Sequence, residues 1–259
     1  MSTVKLTFPN PHTALITLDD QPQLNAMSEK MADDFRAVID SLRPKADSLR
    51  AIILTGAGKA FSAGGDLQML LGKTKLSGEE NRQRMLKFYQ SFLCILELQV
   101  PVIAAINGAA IGAGLCVACA ADIRIASNNA KFGFTFTKLG LHPGMGATFF
   151  VPKVTSPSVA SQLLLTGRII DANEAFRVGL VSELTEPNLL MDAAYKIVEE
   201  LTNTGKESVR QLLLGLRDAP KTLSEALIRE STNQAINYAG SEFMEGVTAT
   251  IEKRKAKFV

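Results

Sequence analysis

Asn107-Gly108-Ala109-Ala110-Ile111-Gly112-Ala113-Gly114 is a run of small residues between an apolar strand-like segment, Val102 to Ile106, and an apolar helical one, Leu115 to Ala121. With no bulky side chain in the way, a ligand can approach this backbone closely. Where the run opens a helix, its first N–H groups have no intrahelical acceptor and point outward. A second stretch, Ala60-Phe61-Ser62-Ala63-Gly64-Gly65-Asp66, has the same make-up and follows another apolar run, Leu49 to Leu54. Two such N–H groups meeting on one oxygen form an oxyanion hole.

Working outward, Lys5 to Phe8 and Ala14 to Leu18 read as strands with Asn10 and Pro11 in the turn between them. Ser28 is a good helix N-cap, with Met31, Phe35, Val38 and Ile39 forming an apolar stripe behind it. Another strand follows at Ala51 to Leu54. This strand–strand–helix–strand order repeats loosely through residue 130 and fits a spiral of ββα turns rather than an alternating Rossmann pattern. A dinucleotide loop at Thr55-Gly56-Ala57-Gly58 fails, because Phe61 holds the third glycine position and no helix opens there. The polar stretch from Gly72 to Asn81 reads as a mobile loop beside the first motif. After Pro157 the pattern turns helical, over Ala160 to Leu165, Ala172 to Val178, Leu189 to Thr202, Val209 to Leu216, Leu223 to Ala239 and Glu242 to Lys257.

The two small-residue stretches, the second running on to Asp122, and the later Leu139-Gly140-Leu141-His142-Pro143-Gly144-Met145-Gly146-Ala147-Thr148 resemble the crotonase (enoyl-CoA hydratase/isomerase) superfamily in motif, order and spacing. The likeness runs from about Val4 to Phe258. It implies an α/β fold, a crotonase-like spiral of ββα turns with a C-terminal helical oligomerisation region. Residues 1–195 would form the core with the acyl-CoA site. Residues 196–259 would be the helical region of the same unit, assembling a homotrimer or a hexamer built as a dimer of trimers. Coenzyme A would enter as part of the substrate thioester, with no permanently bound cofactor and no metal.

By the same resemblance, the N–H groups of Gly65 and Ala113 would hold the thioester oxygen. Gln23, Leu24 and Ala26 would form the wall for the coenzyme, with Ala63, Gly64, Asp66 and Leu67 beside them. The family's two hydratase glutamates fall on Cys116 and Phe136, and a later carboxylate used by some isomerases falls near Gly144. These three would line the pocket without supplying a base, so hydration is not expected. The stretch Pro143 to Phe149 also resembles decarboxylating crotonases of polyketide β-branching, which lack both glutamates. A non-catalytic acyl-CoA-binding homologue is the other reading.

His142 lies in the loop that elsewhere supplies the carboxylates, and an imidazole suits proton transfer near neutral pH. It is either a group at the acyl end or a loop histidine. Asp66 is placed to cap a helix starting at Leu67, and Asp122 to make a structural pair beside Arg124. Lys253-Arg254-Lys255-Ala256-Lys257 reads as the charged end of a helix, favoured by its dipole, or as a contact to coenzyme phosphates.

The remaining features exclude other classes. A net charge of +2 over 259 residues gives no reason to expect nucleic acid or a membrane surface. No apolar run reaches the roughly 18 residues of a membrane helix. The first residues carry no secretory apolar stretch and Ala256-Lys257-Phe258-Val259 is not a peroxisomal address, so a cytoplasmic location is expected. Cys116 and Cys119 have C-x-x-C spacing but sit in an apolar helix with no second pair, which reads as core packing rather than zinc or redox chemistry.

Overall fold

The computed structural model describes residues 2–258. The chain opens with an antiparallel pair, β1 (Val4–Asn10) and β2 (Thr13–Leu18), followed by α1 (Glu29–Leu42). Ser28 caps α1 by accepting the Met31 N–H at 3.1 Å, and Met31, Phe35, Ile39 and Leu42 are fully buried along its inner face. Three turns of a spiral then follow. Each turn lays a longer strand in one sheet and a short strand in another: β3 (Ala51–Gly56) with β4 (Ala60–Ser62), β5 (Val102–Ile106) with β6 (Ala109–Ile111), and β7 (Ile123–Ser127) with β8 (Lys131–Gly133). Within each sheet these strands are parallel.

Helices link the turns. Between β4 and β5 run α2 (Leu67–Lys73) and α3 (Gly78–Leu93), so the expected mobile loop from Gly72 to Asn81 is mostly helical. Ser77 and Glu80 form a reciprocal capping box: Ser77 Oγ accepts the Glu80 N–H at 3.2 Å, and Glu80 Oε2 accepts the Ser77 N–H at 2.9 Å. Only Thr74 to Ser77 link the helices without being helical; the rest of the stretch belongs to the end of α2 and the first turn of α3. Between β6 and β7 runs α4 (Ala113–Ala120), buried along its whole length. A helix apolar on every side sits inside a protein, as α4 does here.

The remaining chain contains α5 (Ala147–Val154), α6 (Pro157–Thr166), β9 (Ile169–Asp171), α7 (Ala172–Arg177), β10 (Glu183–Thr185) and α8 (Leu190–Thr202). The segment is thus not purely helical: β9 pairs antiparallel with β8, and β10 closes the larger sheet beside β7. The final sheet orders are β1-β2-β3-β5-β7-β10 and β4-β6-β8-β9. Ile52 and Leu54 of β3 face the main core, while Ala51 and Ile53 face a second core closed by Leu190, Ala194 and Val198 of α8. Both faces are covered, which is why β3 and β5 read as continuous apolar runs. The division after residue 195 lies inside α8, whose inner face belongs to this second core.

The last helices are α9 (Lys206–Arg217), α10 (Leu223–Tyr238) and α11 (Ser241–Ile251). The basic run therefore lies beyond α11 rather than ending it. Arg254 folds back to Glu245, with Nη1 to Oε1 at 2.6 Å and Nη2 to Oε2 at 2.9 Å. Among the described residues no helix is long and apolar enough to cross a membrane.

Candidate active site

Parallel pairing of β4 with β6 brings the two small-residue stretches together. Ala60 lies opposite Ala109 and Ser62 opposite Ala110, so the chain leaves both strands side by side. Gly64 has φ +92°, and a Cβ there would lie 2.7 Å from the Ile111 carbonyl oxygen. Gly114 is equally constrained, since a Cβ would meet the Ser62 Cβ at 2.5 Å. Only glycine lets the backbones of the two stretches approach this closely.

The directions of the free N–H groups follow from this arrangement. The Gly64 carbonyl accepts the Met27 N–H at 2.7 Å and the Asp66 N–H donates to the Met27 carbonyl at 3.1 Å. Successive peptide groups of an extended chain point to opposite sides, so the intervening Gly65 N–H faces away from Met27. Ala113 is the first residue of α4, and its N–H has no intrahelical acceptor. Gly112 just before it donates to Gly133 O at 2.7 Å, fixing the entry to the helix. Among the described residues neither the Gly65 nor the Ala113 N–H has a protein acceptor.

Gly65 and Ala113 open onto one cavity of about 720 Å³. Gln23, Ala26, Ala63, Gly64, Asp66 and Leu67 line it as expected, and so do Phe136 and His142. Three expected residues do not. Leu24 leaves its side chain half exposed and serves through its carbonyl, which accepts the Ala63 N–H at 2.9 Å. Cys116 is fully buried in the main core, because α4 presents it away from the cavity, and burial drives its thiol pKa well above the ordinary value. Gly144 is screened from the cavity by Tyr89, whose ring carbon Cζ would lie 2.7 Å from a Cβ at this position.

The carboxylates are committed elsewhere. Asp66 Oδ1 accepts the Met69 N–H at 2.6 Å and so caps α2, as its position suggested. Asp122 does make a structural pair, but with Arg217 rather than the adjacent Arg124. Arg124 instead donates to the carbonyls of Leu180 at 2.9 Å and Ala121 at 2.5 Å. His142 is exposed at the cavity mouth, and its Nδ1 lies 2.8 Å from the Pro143 carbonyl oxygen. A carbonyl can only accept, so Nδ1 carries the proton and Nε2 of the neutral ring keeps its lone pair. Among the described residues no cluster of side chains is arranged to hold a metal.

Some features of the site were not legible in the sequence, among them the role of Asn25 within the Gln23-Leu24-Asn25-Ala26 wall. Asn25, fully buried with φ +57°, clamps the first stretch: its Nδ2 donates to the carbonyls of Ala57 at 2.9 Å and Ala60 at 2.8 Å, and its own carbonyl accepts from Ser62 Oγ at 2.7 Å. An asparagine at positive φ is a signal that no sequence pattern reveals. The far wall comes from α2 and α3 through Leu70, Met85, Phe88 and Tyr89. The Ser77/Glu80 capping box could have announced α3, though not the side that faces the cavity.

Two mostly parallel sheets wound as a spiral around a buried helix, with two free amides opening onto one cavity, define the crotonase fold. The sequence model of the family "Enoyl-CoA hydratase/isomerase" matches residues 10–259. The chain is 33% identical to the crotonyl-CoA hydratase of Syntrophomonas wolfei over 95% of its own length and 94% of that protein. It is 44% identical to the probable enoyl-CoA hydratase EchA14 of Mycobacterium tuberculosis over 65% of its length, an alignment that spans 64% of that relative. The crystal structure of an enoyl-CoA hydratase from Bacillus anthracis superposes with a TM-score of 0.91 at 31% identity, covering 99% of this chain and 98% of that one. The chain belongs to the enoyl-CoA hydratase/isomerase family.

Proposed function

We propose that this protein binds an acyl-CoA thioester and stabilises negative charge on its carbonyl oxygen through the N–H groups of Gly65 and Ala113. The observation that carries the reading is that these two groups, with no acceptor among the described residues, open onto one cavity. Donors held in place do not reorganise as charge develops, and one such donor is worth about 3–4 kcal/mol. An enolate at the neighbouring carbon is thereby made accessible.

Which bond is broken to reach the enolate depends on the side chains around it. At the two positions where the family carries hydratase glutamates, Cys116 is buried away from the cavity and Phe136 is apolar. The one carboxylate lining the cavity among the described residues, Asp66, is engaged as a helix cap. Addition of water by a carboxylate pair is therefore not the reaction we assign, although relatives carry hydratase names. The enolate chemistry that remains needs no such pair. In decarboxylation the carbon–carbon bond electrons flow into the thioester as CO2 leaves. In isomerisation His142 Nε2 would take the proton. Loss of all turnover with retained acyl-CoA binding would make the protein a binding homologue.

We further infer a homotrimer or a dimer of trimers in the cytoplasm. Helices α9 to α11 expose Leu216, Leu223, Ile228 and Ile251 with relative exposures of 64–75%. So much apolar surface is usually covered by another chain. The test of function is a panel of malonyl-, enoyl- and glutaconyl-type thioesters followed by mass spectrometry, with Ala113→Pro as control. Failure of every thioester to bind would overturn the reading.

A further inference from the structure

We propose that Tyr89 is a specificity-determining residue whose hydroxyl selects acyl groups bearing an oxygen acceptor close to the thioester. This rests on the acyl-CoA reading above and extends it to the substrate. Tyr89 projects from α3 into the cavity that holds Gly65 and Ala113. Its neighbours in that wall are apolar: Leu70, Met85, Phe88, Phe136 and Leu141.

Two observations place the phenol at the acyl end. Its ring and hydroxyl fill the space in front of Gly144, where any side chain would collide with them. It also lines the cavity onto which the Gly65 and Ala113 amides open. The hydroxyl therefore faces the same cavity as the Gly65 and Ala113 amides.

Among the described residues no protein group hydrogen-bonds to this hydroxyl, although it is set against an apolar wall. Burial, and secondarily the neighbouring thiol, push its pKa above the ordinary tyrosine value, so it stays protonated and acts as a donor at neutral pH. A ligand oxygen that meets this donor against an apolar wall gains a hydrogen bond there. Such a site rejects an analogue that lacks the oxygen. Lys73, the lysine lining the cavity, is paired to Glu29 at 2.8 Å; Thr135 and His142 also line the cavity, and Tyr89 supplies the phenol set against Gly144.

The experiment compares matched thioesters by calorimetry. Butyryl-CoA, 3-hydroxybutyryl-CoA and malonyl-CoA would be titrated into the wild type, Tyr89→Phe and Gly144→Ala. In the wild type at least one oxygenated ligand should bind about tenfold or more tightly than butyryl-CoA. In Tyr89→Phe, which keeps the ring and hence the wall, that ratio should collapse towards one. Gly144→Ala should reduce it too, by pushing a methyl group against the phenol. Preference for the hydroxyl ligand or for the carboxylate ligand identifies which oxygen the site was built for. Equal binding of all three by the wild type, or a ratio that survives Tyr89→Phe, overturns this inference alone. Absence of binding by all three, together with no competition by free coenzyme A, overturns the acyl-CoA reading as well.

Discussion

Arg217, the last residue of α9, closes a bidentate pair onto Asp122, with Nε to Oδ1 at 2.9 Å and Nη2 to Oδ2 at 2.7 Å. Asp122 Oδ2 also accepts the Val102 N–H at 2.8 Å, at the start of the strand that leads to the Asn107–Gly114 stretch. The same guanidinium donates to the carbonyls of Leu96, Leu98 and Val100. One side chain of the C-terminal helices thus holds the strand β5 and the segment before it.

Removing one partner of such a pair leaves the other charge poorly solvated, because both side chains are less than one-fifth exposed. Arg217→Ala should destabilise the protein by about 3 kcal/mol, and Arg217→Lys should recover only part of that because a lysine cannot present the bidentate fork. Urea unfolding of the three proteins measures this. A midpoint unchanged by Arg217→Ala would mean the pair is dispensable.

The amide site gives two variants with different signatures. Ala113→Pro removes one N–H while leaving a residue type tolerated at a helix start, so turnover of the eventual substrate should fall by about 100-fold or more with coenzyme affinity little changed. Gly114→Ala instead drives a methyl group into Ser62 and should lower stability by about 1–3 kcal/mol. Loss of coenzyme binding in Ala113→Pro equal to its loss of turnover would speak against a role at the carbonyl oxygen.

Crotonyl-CoA should be hydrated at trace rates at most. On the proposed reading two general acid–base contributions are missing, each worth roughly 100- to 10,000-fold. Absorbance loss of the enoyl thioester follows the reaction directly, and turnover comparable to that of an ordinary hydratase would show that other groups activate the water.

His142→Gln should lower turnover by about 100-fold or more if Nε2 accepts the substrate proton, while affinity for free coenzyme A hardly moves. Unchanged turnover on the identified substrate would make His142 a loop residue and leave the proton to water or to the substrate.

All three cysteines are buried and free. Burial pushes Cys94 up to about 11 and Cys119 up to about 12, from an ordinary 9.0, and raises Cys116 well above that ordinary value. A thiol-specific dye should therefore label the native protein very slowly at pH 8 and label every cysteine once it is unfolded. Because the folded pKa values are raised, their contribution to stability is complete below about pH 9 and is lost as pH rises towards 11 to 12. Cys119→Ala should flatten part of that alkaline decline. Rapid native labelling would show that α4 opens far more readily than its burial indicates.

The local sequence was enough to determine much of this protein: the Ser28 cap and apolar stripe of α1, the Val102–Ile106 strand, and the small residues that let Gly65 and Ala113 present bare N–H groups. Each depends on contacts within a turn or a strand, so composition and spacing report it. Other features depended on which remote surfaces meet. Asp122 was legible as a structural carboxylate, yet its partner lies 95 residues away because packing of α9 brings Arg217 there. Cys116 turned inward and Tyr89 turned into the cavity because α3 and α4 fit against each other. A helical period shows that a face is buried, not what it is buried against. The alternation of Ile52 and Leu54 with Ala51 and Ile53 between two cores was hidden for the same reason, since a strand covered on both sides carries no polar face to mark its register.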